Sequence, residues 1–165
     1  MPELHEDLEE LQSAEAIVHG PAPVLRDVRF FRIHAELVED LDPQTEDEED
    51  VESGSDEDEE DISVNIGLRT RQAGSSLGIR IEFEASHDAW KVSLDVAAEF
   101  EADEPFQTSE AARTDFADKV GVMTLYPYIR EAVGNLTQRT VGASFLLPTI
   151  RQGQVSFANE TLTEN

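Results

Sequence analysis

Hydrophobic and polar residues alternate along three stretches of the chain, at 62–68, 77–83 and 90–100. Every second position in these stretches is apolar, and the positions between them are mostly charged or small. A period of two places the apolar side chains on one face of a β-strand. The segments between the stretches, 72–76 and 86–89, are short enough for hairpins. The pattern therefore predicts three strands that are antiparallel neighbours.

A fourth strand is predicted at 24–37, where the alternation changes phase. Val28 and Phe30 share one parity, whereas Phe31 and Ile33 share the other. A switch of parity inside one strand is typical of a β-bulge, which inserts one residue and re-aims the side chains that follow it. We therefore predict a bulge at Phe30–Phe31.

Apolar residues recur at helical spacing in the last third of the chain. Their spacing of i, i+4, i+7, i+8 and i+11 places them on one stripe of a helix. The stripe consists of Leu125, Ile129, Ala132, Val133 and Leu136. With Pro127 in the first turn, this helix is predicted to begin near Leu125 and to end near Thr140. A preceding helix is predicted from Thr108 or Ser109 through Lys119, with Gly121 ending it.

The same helix carries a sequence motif. Tyr126-Pro127-Tyr128-Ile129-Arg130-Glu131-Ala132, followed by Leu136, Arg139 and an apolar run ending at Pro148, resembles the core-helix signature of the SecB family of export chaperones. The resemblance implies an α+β fold, in which a four-stranded antiparallel sheet has helices packed on one face. It also implies a homotetramer built as a dimer of dimers.

Charge divides the chain into segments. The formal net charge is -25, and residues 39–61 contain 15 acidic residues and no basic ones. A stretch with so few apolar residues cannot bury enough surface to fold, so it is predicted to be a disordered acidic insert. We expect a flexible or short-helical segment at 1–23, a SecB-like domain at 24–157 that contains the insert, and a disordered tail at 158–165.

Composition also limits the class of protein. A chain this acidic is not expected to bind nucleic acid, because phosphate contacts require clustered lysine and arginine. Cysteine is absent, and no apolar run approaches the length of a membrane span. The amino terminus is acidic where a secretory signal would be basic and then apolar. These features predict a cytoplasmic protein with no membrane insertion.

Residue patterns that carry catalysis are not found in the sequence. No two of the four histidines have metal-ligand spacing, and there is neither a nucleophile elbow nor a glycine-rich phosphate loop. We therefore expect no enzyme activity, no catalytic residues, no bound metal and no cofactor.

Apolar residues are crowded into the connector that follows the long helix. Apolar loops are uncommon unless they are covered or contact a partner, and for Phe145 and Leu147 both core filling and contact with a partner remain open. The SecB resemblance assigns Phe145, Leu146 and Leu147 to the wall of a groove for unfolded polypeptide clients, with Tyr126 and Tyr128 as supports. The family's Phe-Pro pair in this loop falls at Gly142-Ala143 here.

The resemblance also suggests a docking surface on the other face of the sheet. SecB proteins meet the SecA translocase motor through carboxylates there, and the matching positions are Asp27 and Asp95. The glutamate expected four residues after Asp27 is Phe31 in this chain. Both aspartates lie on the polar parity of their strands.

Two functions follow from these observations. The first is that of a SecB-like holdase, acting without ATP on unfolded preproteins in export or on the antitoxin of a toxin–antitoxin module. The second is that of an acidic interaction protein that mimics nucleic acid for a basic partner. The two functions should respond differently to salt. Apolar binding of a client should survive or strengthen, whereas binding of a basic partner should weaken as the charges are screened.

Overall fold

The structure, a computed structural model, describes residues 8–38 and 62–151. The predicted acidic insert at 39–61 and the predicted tail at 158–165 lie outside these residues. In chain order the elements are β1 (Glu10–Leu11), α1 (Ala14–His19), β2 (Val24–Leu37), β3 (Ser63–Ala73), β4 (Ser76–His87), β5 (Trp90–Glu101), β6 (Gln107–Thr108), α2 (Glu110–Phe116), a π-helical turn (Ala117–Gly121) and α3 (Val122–Thr140).

Four long strands form one antiparallel sheet in the order β2-β5-β4-β3. Two-residue turns join β3 to β4 and β4 to β5, which confirms the predicted hairpins. β2 lies at one edge and β3 at the other, so each has one side without a strand partner in the described structure. The predicted α+β class with a four-stranded antiparallel sheet is confirmed.

The predicted β-bulge is present in β2. Pairing between β2 and β5 shifts register between Phe30 and Arg32, which leaves Phe31 as the extra residue. Before the bulge Phe30 faces the helices, and after it Ile33 does so, opposite Leu94. Phe31 instead lies on the face away from the helices, beside Arg80. A second register shift, between Leu25 and Asp27, was not predicted.

All the helices that pack on this sheet cover the same face. The apolar parity of β4 and β5 is almost completely buried there against α2, the π-helical turn and α3. α3 lies mainly over β5 and β2. The largest fully buried side chains are Phe83, Phe116, Ile17, Leu77, Ile79, Ile81, Leu94, Leu125, Ile129, Val92, Val96 and Val133.

The helical region differs from the prediction at two positions. Gly121 does not end a helix, because α2, the π-helical turn and α3 follow one another without interruption and Gly121 has right-handed helical angles. Its lack of a Cβ lets the helix approach Ile79 of the sheet. Pro127 lies inside α3, not in its first turn. The predicted end at Thr140 is confirmed.

Candidate functional site

The connector after α3, residues 141–151, runs back along that helix and is called the strap here. Hydrogen bonds from α3 fix its backbone: the Tyr126 hydroxyl donates to the carbonyl of Pro148 at 2.5 Å, and Arg130 Nε donates to the carbonyl of Leu147 at 2.7 Å. Each bond joins a side chain of the sequence motif to a strap carbonyl. The motif residues therefore position the strap.

Two small or polar residues of α3 bring the strap close. Thr137 is buried, its hydroxyl donates to the carbonyl of Val133, and it accepts the Phe145 N–H at 2.8 Å. At Gly134, a Cβ would lie 3.3 Å from Leu146 Cδ2, so glycine permits this close contact. The strap is thus held along its length, although it is neither helix nor strand.

The three predicted groove-wall residues differ in burial. Leu147 is only 3% exposed and belongs to the core, so of the two alternatives for this residue the structure supports core filling. Phe145 is half-buried, with its ring 5.4 Å from that of Trp90. Leu146 is 61% exposed. Within the predicted wall, Leu146 is therefore the side chain most available to a partner.

The two predicted supporting tyrosines lie on different sides of α3. Tyr126 contacts the strap, and burial raises the pKa of its hydroxyl. Tyr128, 41% exposed, lines a groove of about 310 Å³ between α3 and β2, together with Phe30 and Ile33. The five predicted groove residues therefore do not form one continuous surface. Their role in binding a client stays a prediction.

The groove beside β2 was not predicted from the sequence. β2 is an edge strand, and several of its apolar side chains remain uncovered although they occupy the parity that faces the helices. These are Leu25, Ile33 and Leu37. Alternation identified the buried parity of the strand, but it does not tell an edge strand from a central one.

On the opposite face of the sheet, the two predicted docking aspartates have different surroundings. Asp95 accepts two hydrogen bonds from Arg80, at 2.7 Å and 2.6 Å, and its side chain is 6% exposed. The hydrogen bonds from Arg80 hold the pKa of Asp95 below its usual value, despite the opposing effect of burial. Asp27 is exposed and pairs with Arg29 at 2.7 Å. Their role in docking stays a prediction.

Two further features bear on the class of protein. In the described ranges, no group of three or more histidine, aspartate and glutamate side chains is arranged to hold a metal ion. Nor does any helix of the described chain have the length and apolar character needed to cross a bilayer.

A four-stranded antiparallel sheet, covered on one face by a long helix whose motif residues hold a following strap, makes this chain similar to SecB-like chaperones. No family model matches the sequence. Over 91 residues the chain is 30% identical to the SecB-like chaperone SmegB of Mycolicibacterium smegmatis, an alignment that covers 55% of this chain and 62% of that protein. The chain thus spans about three-fifths of the length of the curated relative that it matches.

A solved structure has the same fold. It is the SecB-like chaperone Rv1957 of Mycobacterium tuberculosis in complex with a ChAD peptide from the HigA1 antitoxin Rv1956. It has a TM-score of 0.58 and 21% sequence identity, and the match covers 78% of this chain and 88% of that one. The resemblance to SecB-like chaperones that the helix motif indicates is confirmed.

Proposed function

We propose that this chain is a holdase that binds non-native polypeptide through apolar contacts, without ATP, a cofactor or any catalytic step. The observation that carries this proposal is the position of Leu146. It is the most exposed of the large apolar residues in the described chain, and it lies between two strap residues that are fixed against α3. The similarity of the chain to the SecB-like chaperone SmegB supports a chaperone role.

Preorganisation of the strap favours the binding of a client. Because the carbonyl of Leu147 and the N–H of Phe145 are already bonded to α3, little further ordering of the strap is needed when a client docks. Burying one exposed leucine against an apolar client side chain contributes up to about 1.5–3 kcal/mol. Affinity for a whole segment therefore requires contacts beyond Leu146. Tyr126, Phe145 and Leu147 would act mainly by shaping the strap, whereas Tyr128 lies apart from it, in the groove beside β2.

Of the two client classes, we favour an antitoxin over unfolded preproteins in export. The solved relative is bound to a peptide from an antitoxin, which supports the first class. Export would include docking to SecA through Asp27 and Asp95. The Asp95 carboxylate is already bonded to Arg80, so a basic partner group would have to compete with an internal one. In either role the protein would act in the cytoplasm.

We propose that the active form is a homo-oligomer, built as a dimer of dimers. Among the described residues, one edge of β2 has no strand partner. The exposed side chains of Leu25, Ile33 and Leu37 leave apolar surface that a second copy would cover. Replacing Ile33 with lysine should lower the mass measured by light scattering, whereas the same change at Val18, exposed on α1, should not. A wild-type mass equal to that of one chain would contradict this proposal.

Aggregation of an unfolded substrate protein tests the holdase. The wild-type chain should suppress light scattering by the substrate without ATP, and Leu146→Ser should reduce this effect. Val18→Ser is the matched control, because it removes an exposed apolar side chain that lies on α1 and not on the strap. If Leu146→Ser suppresses aggregation as well as the wild type does, the strap is not the binding surface.

The acidic-mimic hypothesis remains the second candidate. The net charge of -25 and the acidic residues at 39–61 favour it, because a dense row of carboxylates resembles a phosphate backbone to a basic protein. It requires no apolar groove, and it predicts that binding weakens steeply with salt.

A further inference from the structure

The two edges of the sheet differ in their regularity. β3 pairs with β4 over all 11 of its residues without a register shift, and its other side has no strand partner among the described residues. β2, by contrast, contains two register shifts, which interrupt the regular row of backbone groups that a further strand needs. No proline interrupts β3. The outer side of β3 is therefore the edge better suited to backbone pairing with another strand.

The sequence of β3 is complementary to itself in one antiparallel register. When two copies pair about a two-fold axis at Leu68, the midpoint of the strand, all 11 residues of one copy lie opposite residues of the other. Leu68 then faces its own counterpart and Ile66 faces Thr70, so the apolar side chains that pack on the core of each copy lie side by side. A shift of the axis to Arg69 would instead place two arginines directly opposite each other, which is destabilising.

An arginine already reaches across a glycine to a carboxylate on the open face, which is the sheet face away from the helices. Arg71 of β3 lies opposite Gly78 of β4, and Gly78 lies opposite Glu99 of β5. Arg71 Nη2 pairs with Glu99 Oε2 at 3.1 Å. A Cβ at Gly78 would lie 2.9 Å from Arg71 Nε, so the glycine leaves room for the arginine to pass. Three adjacent strands thus form an Arg–Gly–Glu row.

The edge of the sheet carries the last two members of a second such row. Gly67 of β3 lies opposite Glu82 of β4. A Cβ at Gly67 would lie 3.8 Å from Glu82 Oε2, so this oxygen borders the space above the glycine, while Oε1 pairs with Arg69 at 2.8 Å. In the self-complementary register, Arg69 of a second copy lies opposite Gly67. That arginine supplies the missing member of the row.

We propose that β3 pairs antiparallel with β3 of a second copy, so that Arg69 of each copy reaches across Gly67 of the other to Glu82. A guanidinium has five N–H donors, so each Arg69 also keeps the ion pair with its own Glu82. Two arginines and two carboxylates then alternate around the two-fold axis. An unfolded segment of arbitrary sequence gains the same backbone bonds but lacks an arginine at this position, which favours a second copy as the occupant. The interface is separate from the one proposed at β2.

Disulfide trapping on the full chain tests the register, because the sequence contains no cysteine. Leu68→Cys lies on the two-fold axis and should give a covalent dimer under mild oxidation. Val64→Cys is the matched control, because it lies on the same edge but opposite Gln72, and alone it should not crosslink. Val64→Cys/Gln72→Cys should crosslink again. Thermal melting checks that each variant is folded. If Leu68→Cys gives no covalent dimer, or if Val64→Cys alone crosslinks equally well, the proposal is overturned.

Self-association measured by light scattering over a range of concentrations tests the Arg–Gly–Glu row. An Ile33→Lys background removes the contact proposed at β2. At Gly67 a Cβ would meet its nearest atom at 3.7 Å, an ordinary contact, so Gly67→Val should fold. Its branched side chain should block Arg69 and raise the Kd of self-association about tenfold, as expected for two surface ion pairs. Ser63→Val, at the end of the same strand, is the matched control and should leave the Kd unchanged.

Reversal of the charges separates this interface from a merely structural role. Arg69→Glu should raise the Kd, because it places like charges together across the axis, and Arg69→Glu/Glu82→Arg should restore it. A Kd that is the same for all these variants would contradict the proposal. Crosslinking of Leu68→Cys to a cysteine-containing unfolded peptide in preference to a second copy would also overturn it, because the edge would then bind clients. None of these measurements depends on the holdase activity, so the two proposals can fail separately.

Discussion

Neighbouring leucines of the strap should respond in opposite ways to truncation. Leu147 is 3% exposed and packs in the core, and its backbone carbonyl is held by Arg130. Buried Leu→Ala substitutions cost about 2–5 kcal/mol, and the cost is larger where the surroundings cannot collapse into the cavity. Because the strap is bonded to α3 on both sides of this residue, we expect Leu147→Ala to lower the free energy of unfolding by about 3 kcal/mol.

Leu146→Ala is the matched comparison, because it removes the same atoms from the adjacent residue. With 61% of Leu146 exposed, little apolar area is lost from the folded state. Its cost should stay below about 1 kcal/mol. Urea unfolding at one fixed protein concentration measures both values, and similar slopes would show that the two transitions are comparable. Equal destabilisation by the two variants would refute the assignment of Leu147 to the core and of Leu146 to the surface.

Three further substitutions test the packing and the charges. Gly121→Ala should lower the free energy of unfolding by about 1–3 kcal/mol, since the new Cβ would overlap Ile79, and an unchanged melting temperature would exclude that contact. Thr137→Val should lower the free energy of unfolding, measured in urea, by about 1–3 kcal/mol, because it leaves the Phe145 N–H without its acceptor. An unchanged free energy of unfolding would show that this hydrogen bond does not stabilise the fold. Asp95→Asn should destabilise the fold at neutral pH. The pKa of Asp95 is lowered on folding, so its contribution is complete above about pH 4 and is lost as the pH falls through the folded-state pKa. Unfolding curves of wild type and variant should therefore converge in acid, and a gap that is independent of pH would contradict this.

Sequence periodicity predicted the sheet well because the large apolar side chains of the central strands occupy alternate positions. Every large apolar side chain from Leu77 to Phe83 and from Trp90 to Phe100 faces the helices, so the period of two appears directly in the sequence. The change of parity at Phe30–Phe31 was equally informative, since a bulge is the simplest way to move apolar residues between faces.

The errors in the helical region arose from tertiary contacts. Gly121 was interpreted as a helix terminator, yet its lack of a side chain serves a close approach to Ile79. Local sequence cannot separate these two uses of glycine, because the contact partner lies some forty residues away in the chain. The interpretation of Pro127 failed for a related reason: the π-helical turn extends the helix upstream of the predicted start.

The candidate site was only partly predictable. The motif identified the helix and the connector that form the site. Alternation and helical spacing, however, do not predict which side chains of the strap are buried, because the strap is neither strand nor helix. The different burial of Leu146 and Leu147 follows from the hydrogen bond that Arg130 donates to the strap and the one that Thr137 accepts from it, whose geometry the sequence does not reveal. The ion pairs between strands on the open face of the sheet, such as that of Arg80 with Asp95, could not be predicted from the sequence, because they depend on how the strands pair.

Binding of an unfolded polypeptide as a function of salt tests the holdase account most directly. A labelled, permanently unfolded substrate can be titrated with the full chain at low salt and at high sodium sulfate, with Leu146→Ser measured in parallel. If the chain is a holdase, the wild-type affinity should be kept or increased at high salt, because sulfate strengthens apolar association while it screens charges. Leu146→Ser should bind more weakly under both conditions. Affinity that falls steeply with salt, and that is the same for the variant, would contradict the holdase and favour the acidic mimic.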